Sequence, residues 1–136
     1  MLKLKPPNTL NIIIKGNPIT KKNHSQILIN KKTRKPFLMP SKQYNDYEKR
    51  CGLFLTKYRY NIDYPVNVKC VYYMKTKRKV DLCNLLGSTC DILVHHKVIA
   101  DDNSNIVVSH DGSRVLYSKD NPRVEITIER IKKWII

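Results

Sequence analysis

The chain has 136 residues, enough for one hydrophobic core, and its 41% hydrophobic content excludes a purely charged, unfolded tail. Its 26 Lys and Arg against 11 Asp and Glu give a net charge of +15, which predicts a nucleic acid, an anionic membrane surface or another acidic partner. No apolar run approaches the roughly 18 residues that cross a bilayer, and residues 1–15 lack the apolar core of a signal peptide. We therefore expect a single cytoplasmic domain over residues 1–136, with no membrane partner.

The first elements predicted along the chain are short strands. Residues 10–15 are apolar and rich in isoleucine, which is typical of a buried strand, and this strand should end at Gly16. Residues 26–30 and 36–39 have the composition of two strands of a hairpin. The intervening turn, residues 31–35, carries four positive charges, so it must project into solvent or onto phosphate.

An amphipathic helix and another strand follow the hairpin. Ser41 is the predicted N-cap of the helix, which should run to about Arg59. Its apolar residues recur at three- and four-residue spacing and would form one buried stripe: Tyr44, Tyr47, Cys51, Phe54 and Leu55. Pro65 begins the next strand, in which every second residue is predicted to face the core: Val66, Val68, Cys70 and Tyr72.

The second half predicts one more helix and two closing strands. Asp81 is the predicted N-cap of this helix, which should end near His96. Its leucine-rich side faces the core, and its opposite, polar face consists of Asp81, Asn84, Ser88 and Asp91. Residues 100–105 form a turn, and residues 105–109 and 124–129 are strands. The order β, α, β, α, β predicts a mixed α/β or α+β domain.

Four carboxylates fall within a 22-residue stretch whose only Lys or Arg is Lys97; they are Asp81, Asp91, Asp101 and Asp102. Mg²⁺ is usually held by one or two carboxylates together with water and substrate phosphate. The cluster therefore predicts a metal site beside a phosphodiester. The alternative is structural, with Asp81 as a helix cap, Asp91 as a solvated helix residue, and the Asp101–Asp102 pair in an Asx-rich turn.

Basic residues are concentrated in three runs without acids. The candidates for phosphate contacts are Lys21, Lys22, Lys31, Lys32, Arg34, Lys35, Lys75, Lys77, Arg78 and Lys79. The alternative for each run is a solvated surface without a ligand. Eight such contacts to duplex DNA would give log affinity a slope of roughly −7 against log salt. Tyr58 and Tyr60 flank these runs and are candidates for base stacking, whereas the helical spacing of Tyr44 and Tyr47 favours the core.

The histidines show no catalytic pairing, and we expect His95 and His96 to interact with the dipole at a helix C-terminus. The four cysteines contain no C-x-x-C pair and are expected to be reduced thiols, several of them buried. The alternative is a zinc site that combines Cys83 and Cys90 with one of the two histidines, although this spacing matches no common zinc motif.

Residues 80–103 read VDLCNLLGSTCDILVHHKVIADDN. They contain a helix that begins at an Asp, an Asn-Leu pair, an Asp-x-Leu segment and an Asp-Asp turn. The order and spacing of these pieces resemble the RusA family of Holliday-junction resolvases, which is common in phages and prophages. The matching residues are Asp81, Asn84, Leu85, Asp91, Leu93, Asp101 and Asp102. Residues 109–117 (SHDGSRVLY) and 121–128 (NPRVEITI) resemble the Gram-positive phage branch of that family.

The resemblance implies a small mixed α/β subunit that forms an intertwined homodimer. It also implies Mg²⁺-dependent cleavage of branched DNA, such as four-way junctions, in recombination and repair, with Mn²⁺ able to substitute. Asp81 and Asp102 match metal-binding carboxylates of the family, and Asp101 accompanies Asp102 as a supporting ligand. With Asn84 as an orienting residue, these are the catalytic residues that the resemblance predicts.

Two positions depart from the family pattern. Cys83 stands where the better-known members have a second acidic ligand, and a thiol is a poor ligand for Mg²⁺. Gly87 stands where other members have an acid or a lysine. Asp91 is expected to be structural, because it lies about 15 Å along the helix from Asp81. Two alternatives to a nuclease therefore stay open. One is a RusA-like DNA-binding or regulatory protein that does not cut and has a protein partner. The other is a basic RNA-associated module.

Overall fold

The computed structural model describes residues 5–21 and 25–132, in which two helices pack on one face of a mixed sheet. The elements in chain order are β1 (Thr9–Lys15), β2 (Ser25–Ile29), β3 (Pro36–Pro40), α1 (Lys42–Leu55), β4 (Val66–Met74), α2 (Leu82–His95), β5 (Val107–Ser109), β6 (Arg114–Tyr117) and β7 (Arg123–Arg130). This architecture confirms the predicted mixed α+β fold class. Neither helix in the described ranges has the length and apolar character needed to cross a membrane.

The main sheet has the strand order β1, β7, β4, β5, and β6 also pairs with β4. β7 is antiparallel to both β1 and β4, whereas β5 and β6 run parallel to different parts of β4. The sequence does not predict β6, because most of its four residues are exposed and show no alternation of buried positions. β5 begins later than predicted, since the N–H groups of Ile106 and Val107 still bond to the Asn103 carbonyl.

Alternate residues of the three long strands form one buried apolar face. They are Leu10, Ile12, Ile14, Val66, Val68, Cys70, Tyr72, Met74, Val124, Ile126 and Ile128. In the observed register Ile126 pairs with Ile12 on one side and with Cys70 on the other. Apolar side chains therefore adjoin across the sheet and cover the surface on which the helices pack. The predicted alternation in β4 is confirmed.

α1 begins as predicted, because Ser41 Oγ accepts a hydrogen bond from the Tyr44 N–H at 3.2 Å. The buried stripe is confirmed for Tyr44, Tyr47, Cys51 and Leu55. Phe54, also predicted to belong to it, is only partly buried. The helix ends at Leu55 and continues as a single 3-10 turn over Thr56–Tyr58. The predicted end near Arg59 therefore lies about one helical turn too late.

α2 buries its leucine-rich side as predicted, but part of its polar face is also covered. The Lys21 N–H, in the loop after β1, donates to Ser88 Oγ at 2.9 Å. The hydroxyl groups of Thr89 and Tyr72 lie 2.7 Å apart in the core. The loop after β1 is therefore fixed against the middle of α2, which places Lys21 beside that helix.

The C-terminus of α2 is a Schellman motif. The Val98 N–H donates to the Leu93 carbonyl at 2.9 Å, and the Lys97 N–H donates to the Val94 carbonyl at 3.1 Å. Lys97 has the left-handed φ of 63° that this motif requires, and both Val98 and Leu93 are buried. The motif therefore ends α2 and changes the direction of the chain before the turn at residues 100–105.

β2 and β3 form a separate two-stranded antiparallel sheet, as predicted. Asn30 Oδ1 orders the intervening turn, because it accepts hydrogen bonds from the N–H groups of Lys32 at 2.9 Å and Thr33 at 3.1 Å. All the basic residues of this turn are exposed. The hairpin also exposes apolar side chains, with Ile27 at 71% and Ile29 at 67% of their full accessibility.

Candidate functional site

Asp81 lies exposed at the predicted N-cap of α2. Its Oδ1 accepts hydrogen bonds from the backbone N–H groups of Cys83 at 2.9 Å and Asn84 at 3.4 Å. These bonds satisfy donors that a helix start leaves without intrahelical partners. One carboxylate oxygen of Asp81 is therefore engaged in capping, and the cap holds the exposed carboxylate at the start of α2.

The Asp101 carboxylate is engaged by its own turn. Oδ1 accepts from the Asp102 N–H at 2.8 Å, and Oδ2 accepts from Asn103 Nδ2 at 2.9 Å. These hydrogen bonds, that from the Asp102 backbone foremost, lower the pKa of Asp101. The Asx-turn alternative therefore describes what Asp101 does in this structure, and a ligand role for it stays a prediction.

The charges of Asp102 and Asp91 interact, which the sequence did not predict. Partial burial raises the pKa of Asp91; the positive charge of Lys21 opposes the rise, and the negative charge of Asp102 adds to it. Burial likewise raises the pKa of the Cys90 thiol to about 12, with further increases from the Cys70, Asp102 and Asp91 charges. After the Schellman reversal, the charge of Asp102 thus acts on Asp91 and Cys90 of α2, and the charge of Lys21 also acts on Asp91. We call Asp91 and Asp102 the acidic pair.

The sequence-predicted ligands do not all converge. Within residues 5–21 and 25–132, the side-chain oxygens of Asp81, Asp101 and Asp102 do not gather within 4.8 Å of one another. Asp81 and Asp91 are also separated by ten residues of α2, about 15 Å along the helix axis. Because Mg²⁺ commonly takes only one or two carboxylates and completes its shell with water and phosphate, this separation does not prevent Asp102 from holding one.

A groove of about 530 Å³ adjoins the N-terminus of α2. Arg78 and Lys79 line one side of it, and Asn17, Thr20 and Gln43 belong to its other walls. The exposed run 75–79 is fixed here because the Lys75 N–H donates to Asn17 Oδ1 at 2.9 Å. A phosphate backbone lying in this groove would therefore contact guanidinium and ammonium groups close to the Asp81 cap.

Of the remaining predicted cations, four lie at the hairpin turn and one lies outside the described residues. Lys31, Lys32, Arg34 and Lys35 are exposed at the hairpin turn, and Lys22 lies outside the described residues.

Tyr44 and Tyr47 are buried, each 4% exposed, which confirms their predicted place in the core. Tyr58 and Tyr60 are only partly buried, so their predicted stacking on bases stays a prediction.

One group of three side chains in the described ranges does have metal-ligand spacing. It consists of Glu48, His95 and His96, whose ligand atoms all lie within 4.8 Å of one another. The sequence does not reveal this group, because Glu48 and His95 are 47 positions apart and only the packing of α1 against α2 brings them together. The alternative zinc site is not supported, because no group of three ligand atoms in the described ranges combines Cys83 and Cys90 with a histidine.

The family model of endodeoxyribonuclease RusA matches residues 14–129, from the end of β1 through nearly all of β7. The chain belongs to the RusA family. The match includes both helices, the acidic pair and the basic run before α2, so the resemblance carried by residues 80–103 is confirmed. No curated protein matches the chain in sequence comparison. The Gram-positive phage branch stays a prediction.

RusA membership implies a junction-resolving endodeoxyribonuclease, a hydrolase that acts on branched DNA. The charge distribution of the fold agrees with such a substrate, because exposed cations lie both at the groove and at the hairpin turn. Exposed acidic side chains lie at the start of α2, on α2 and in the turn that follows it. The structure thus combines a polyanion-binding surface with oxygen ligands for a hard cation.

Proposed function

We propose that this protein is a Mg²⁺-dependent nuclease that cuts four-way DNA junctions during recombination and repair. The RusA match over residues 14–129 carries this proposal. The acidic pair supports it: Asp102 and Asp91 act on each other as like charges, and a divalent cation would relieve that repulsion. Exposed carboxylate oxygens are the ligands that Mg²⁺ and Mn²⁺ prefer, so these residues fit the ion.

The residue roles are those that the family resemblance implies. Asp102 and Asp81 would hold metal, with Asp101 supporting Asp102 through the turn and Asn84 orienting groups near the cap. Such an ion supplies polarisation of the scissile phosphodiester and a lower pKa for the attacking water. Lys21 and the 75–79 run would hold the flanking phosphates, and so keep the reacting phosphate in position at the acidic residues.

A substitution at position 87 tests whether the proposed metal site lacks a ligand. Gly87 is exposed, and a Cβ there would meet nothing within 4 Å, so a side chain can be added at this position without a clash at its Cβ. The position is one turn from both Asn84 and Asp91 on α2, where a carboxylate would adjoin the acidic pair. We expect Gly87→Glu to raise Mg²⁺-dependent junction cleavage by about tenfold, the lower end of effects from tuning a metal site. Initial rates over a Mg²⁺ titration measure this.

The matched control is Gly87→Ala, which changes helix propensity without adding charge. It should raise the free energy of unfolding by about 1 kcal/mol and leave the cleavage rate unchanged. Equal rates for the Glu and Ala variants would show that the existing carboxylates suffice and that Gly87 does not mark a lost ligand.

A DNA-binding protein that does not cut is the second candidate, and Cys83 and Gly87 favour it. Neither residue offers the oxygen ligand found in other family members, and Asp101 is occupied by its own turn. This candidate requires tight junction binding with no cleavage at any Mg²⁺ or Mn²⁺ concentration. A partner protein would then supply the biological effect.

We also propose that the protein is a homodimer joined through the β2–β3 hairpin. Isolated two-stranded sheets are marginal in water, yet this one exposes Ile27, Ile29 and Phe37. A second copy that covers these side chains would remove the exposed apolar surface, and two symmetric cuts need two sites related by a two-fold axis.

The sequence-based expectation of a cytoplasmic location stays a prediction.

Replacing Ile29 by Lys should therefore shift the protein toward a monomer. Ile29 pairs with Pro36 in the hairpin, and its side chain is 67% exposed, so the substitution should leave the folded subunit intact. Light scattering coupled to size-exclusion chromatography should give a mass near 32 kDa for the unmodified chain, twice the 16.0 kDa subunit, and a lower mass for Ile29→Lys. Lys31→Ala, at the same hairpin, is the control, and a monomeric unmodified chain would contradict the proposal.

A further inference from the structure

Three potential ligand atoms meet where the end of α2 packs on α1. Oε1 of Glu48 lies 2.8 Å from Nε2 of His96 and 3.2 Å from Nε2 of His95. The two imidazole rings are 4.9 Å apart and nearly perpendicular, at 82°. Ligand atoms around one tetrahedral ion with bonds near 2.1 Å are separated by about 3.4 Å, so these atoms lie slightly closer together than ligands on a bound ion would.

The buried carboxylate oxygen is incompletely satisfied in the described part of the chain. Glu48 Oε1 is inaccessible to solvent and forms no hydrogen bond of acceptable geometry there, although both ring nitrogens lie within contact distance. His96 Nε2 instead lies 3.1 Å from the backbone carbonyl of Glu48. A buried carboxylate oxygen without a hydrogen bond is costly, and a cation in contact with it would remove that cost.

We propose that Glu48, His95 and His96 bind one divalent transition-metal cation of the zinc class. Two imidazoles and a carboxylate form a ligand set that suits Zn²⁺ and Co²⁺ and leaves one position for water. Mg²⁺ prefers an all-oxygen shell, so this centre differs in metal from the proposed nuclease site. On binding, His96 would carry its ring proton on Nδ1, which leaves the Nε2 lone pair for the ion.

The fold positions His96 for this role. Its ring lies against Gly52 of α1, where a Cβ would come within 2.6 Å of Cε1. The Schellman motif fixes the backbone on the other side, with His96 as the helix C-cap and Lys97 in the left-handed conformation. An ion at this centre would join α1 to the end of α2 and would stabilise the folded state by mass action.

The proposal is tested with the full chain in the absence of DNA. Calorimetric titration with Zn²⁺, in excess Mg²⁺, should show one ion per chain, and Co²⁺ should give the intense visible absorption of a tetrahedral centre. His95→Gln should weaken Zn²⁺ binding by at least about 100-fold, since loss of a direct ligand exceeds the 10–100-fold loss for an outer residue. The His95 side chain is 68% exposed, so this variant should fold.

Two controls separate this centre from other histidines and from the nuclease site. His110→Gln removes a histidine outside the group and should retain the affinity for Zn²⁺. Asp102→Asn should also retain it, even where cleavage is lost, so failure of one proposal does not imply failure of the other. Gly52→Ala should weaken binding by displacing the His96 ring. An unmodified chain that binds no Zn²⁺, or a His95→Gln variant with unchanged affinity, would overturn the proposal.

Discussion

Asp102→Asn is expected to reduce cleavage of a four-way junction by at least about 100-fold, because it removes a direct ligand charge from the proposed metal site. Asn has the shape of Asp, and Asp102 is exposed, so the fold should be unaffected. Binding of the junction should persist, since the cationic groove is unchanged. Single-turnover cleavage and gel-shift titration of the same junction measure the two properties separately.

The same variant has a spectroscopic consequence. The negative charge of Asp102 raises the pKa of Asp91, so its removal should lower that pKa toward the ordinary value of an aspartate. An NMR titration of the Asp91 carboxyl carbon would therefore show a midpoint at lower pH in Asp102→Asn. An unchanged midpoint would contradict the close placement of the two acids.

Asp101→Asn is the matched control for the cleavage measurement. It changes a neighbouring carboxylate that already accepts hydrogen bonds from Asp102 and Asn103. Because the amide oxygen of Asn can still accept one of these bonds, we expect a smaller loss than for Asp102→Asn. Equal losses would indicate that turn geometry, rather than the Asp102 charge, limits cleavage.

The second large effect is expected from the basic run before α2. Replacing Lys75, Lys77, Arg78 and Lys79 together by Ala should weaken junction binding by about 10³-fold at 0.1 M salt, if each cation neutralises one phosphate. The slope of log affinity against log salt should become less negative by about 3.6. All four side chains are exposed, and the Lys75 backbone bond to Asn17 does not depend on them.

Four exposed lysines outside the three basic runs provide the control for this variant: Lys5, Lys57, Lys119 and Lys132. Their joint replacement by Ala changes the net charge by the same amount. It should alter the salt slope by much less, because these positions are not part of the proposed phosphate-binding surface. Equal changes in slope for the two variants would mean that overall charge, and not the groove, governs binding.

Much of the fold could be predicted because its determinants are local. Ser41 and Asp81 are N-cap residues at the starts of amphipathic segments, and both caps form as expected. The alternation in β4 is a period-two pattern that a half-buried strand requires, and it specifies the buried face. β6 could not be predicted in this way, because an edge strand with exposed residues on both sides carries no such pattern.

The candidate sites were harder to predict because they depend on contacts between distant segments. Asp91 and Asp102 come together only after the Schellman motif reverses the chain, and the left-handed residue there is Lys97 rather than the glycine that usually signals it. Glu48 meets His95 and His96 only because two helices pack together. Periodicity places each of these residues on a helix face, but it does not specify which faces meet.

The most direct test of the proposed function compares a synthetic four-way junction with a linear duplex of the same sequence. In Mg²⁺ or Mn²⁺ the protein should cut two strands near the branch point of the junction, leave the duplex intact, and lose activity when the metal is chelated. Binding of the junction without cleavage at any metal concentration would contradict the nuclease proposal and support the binding protein.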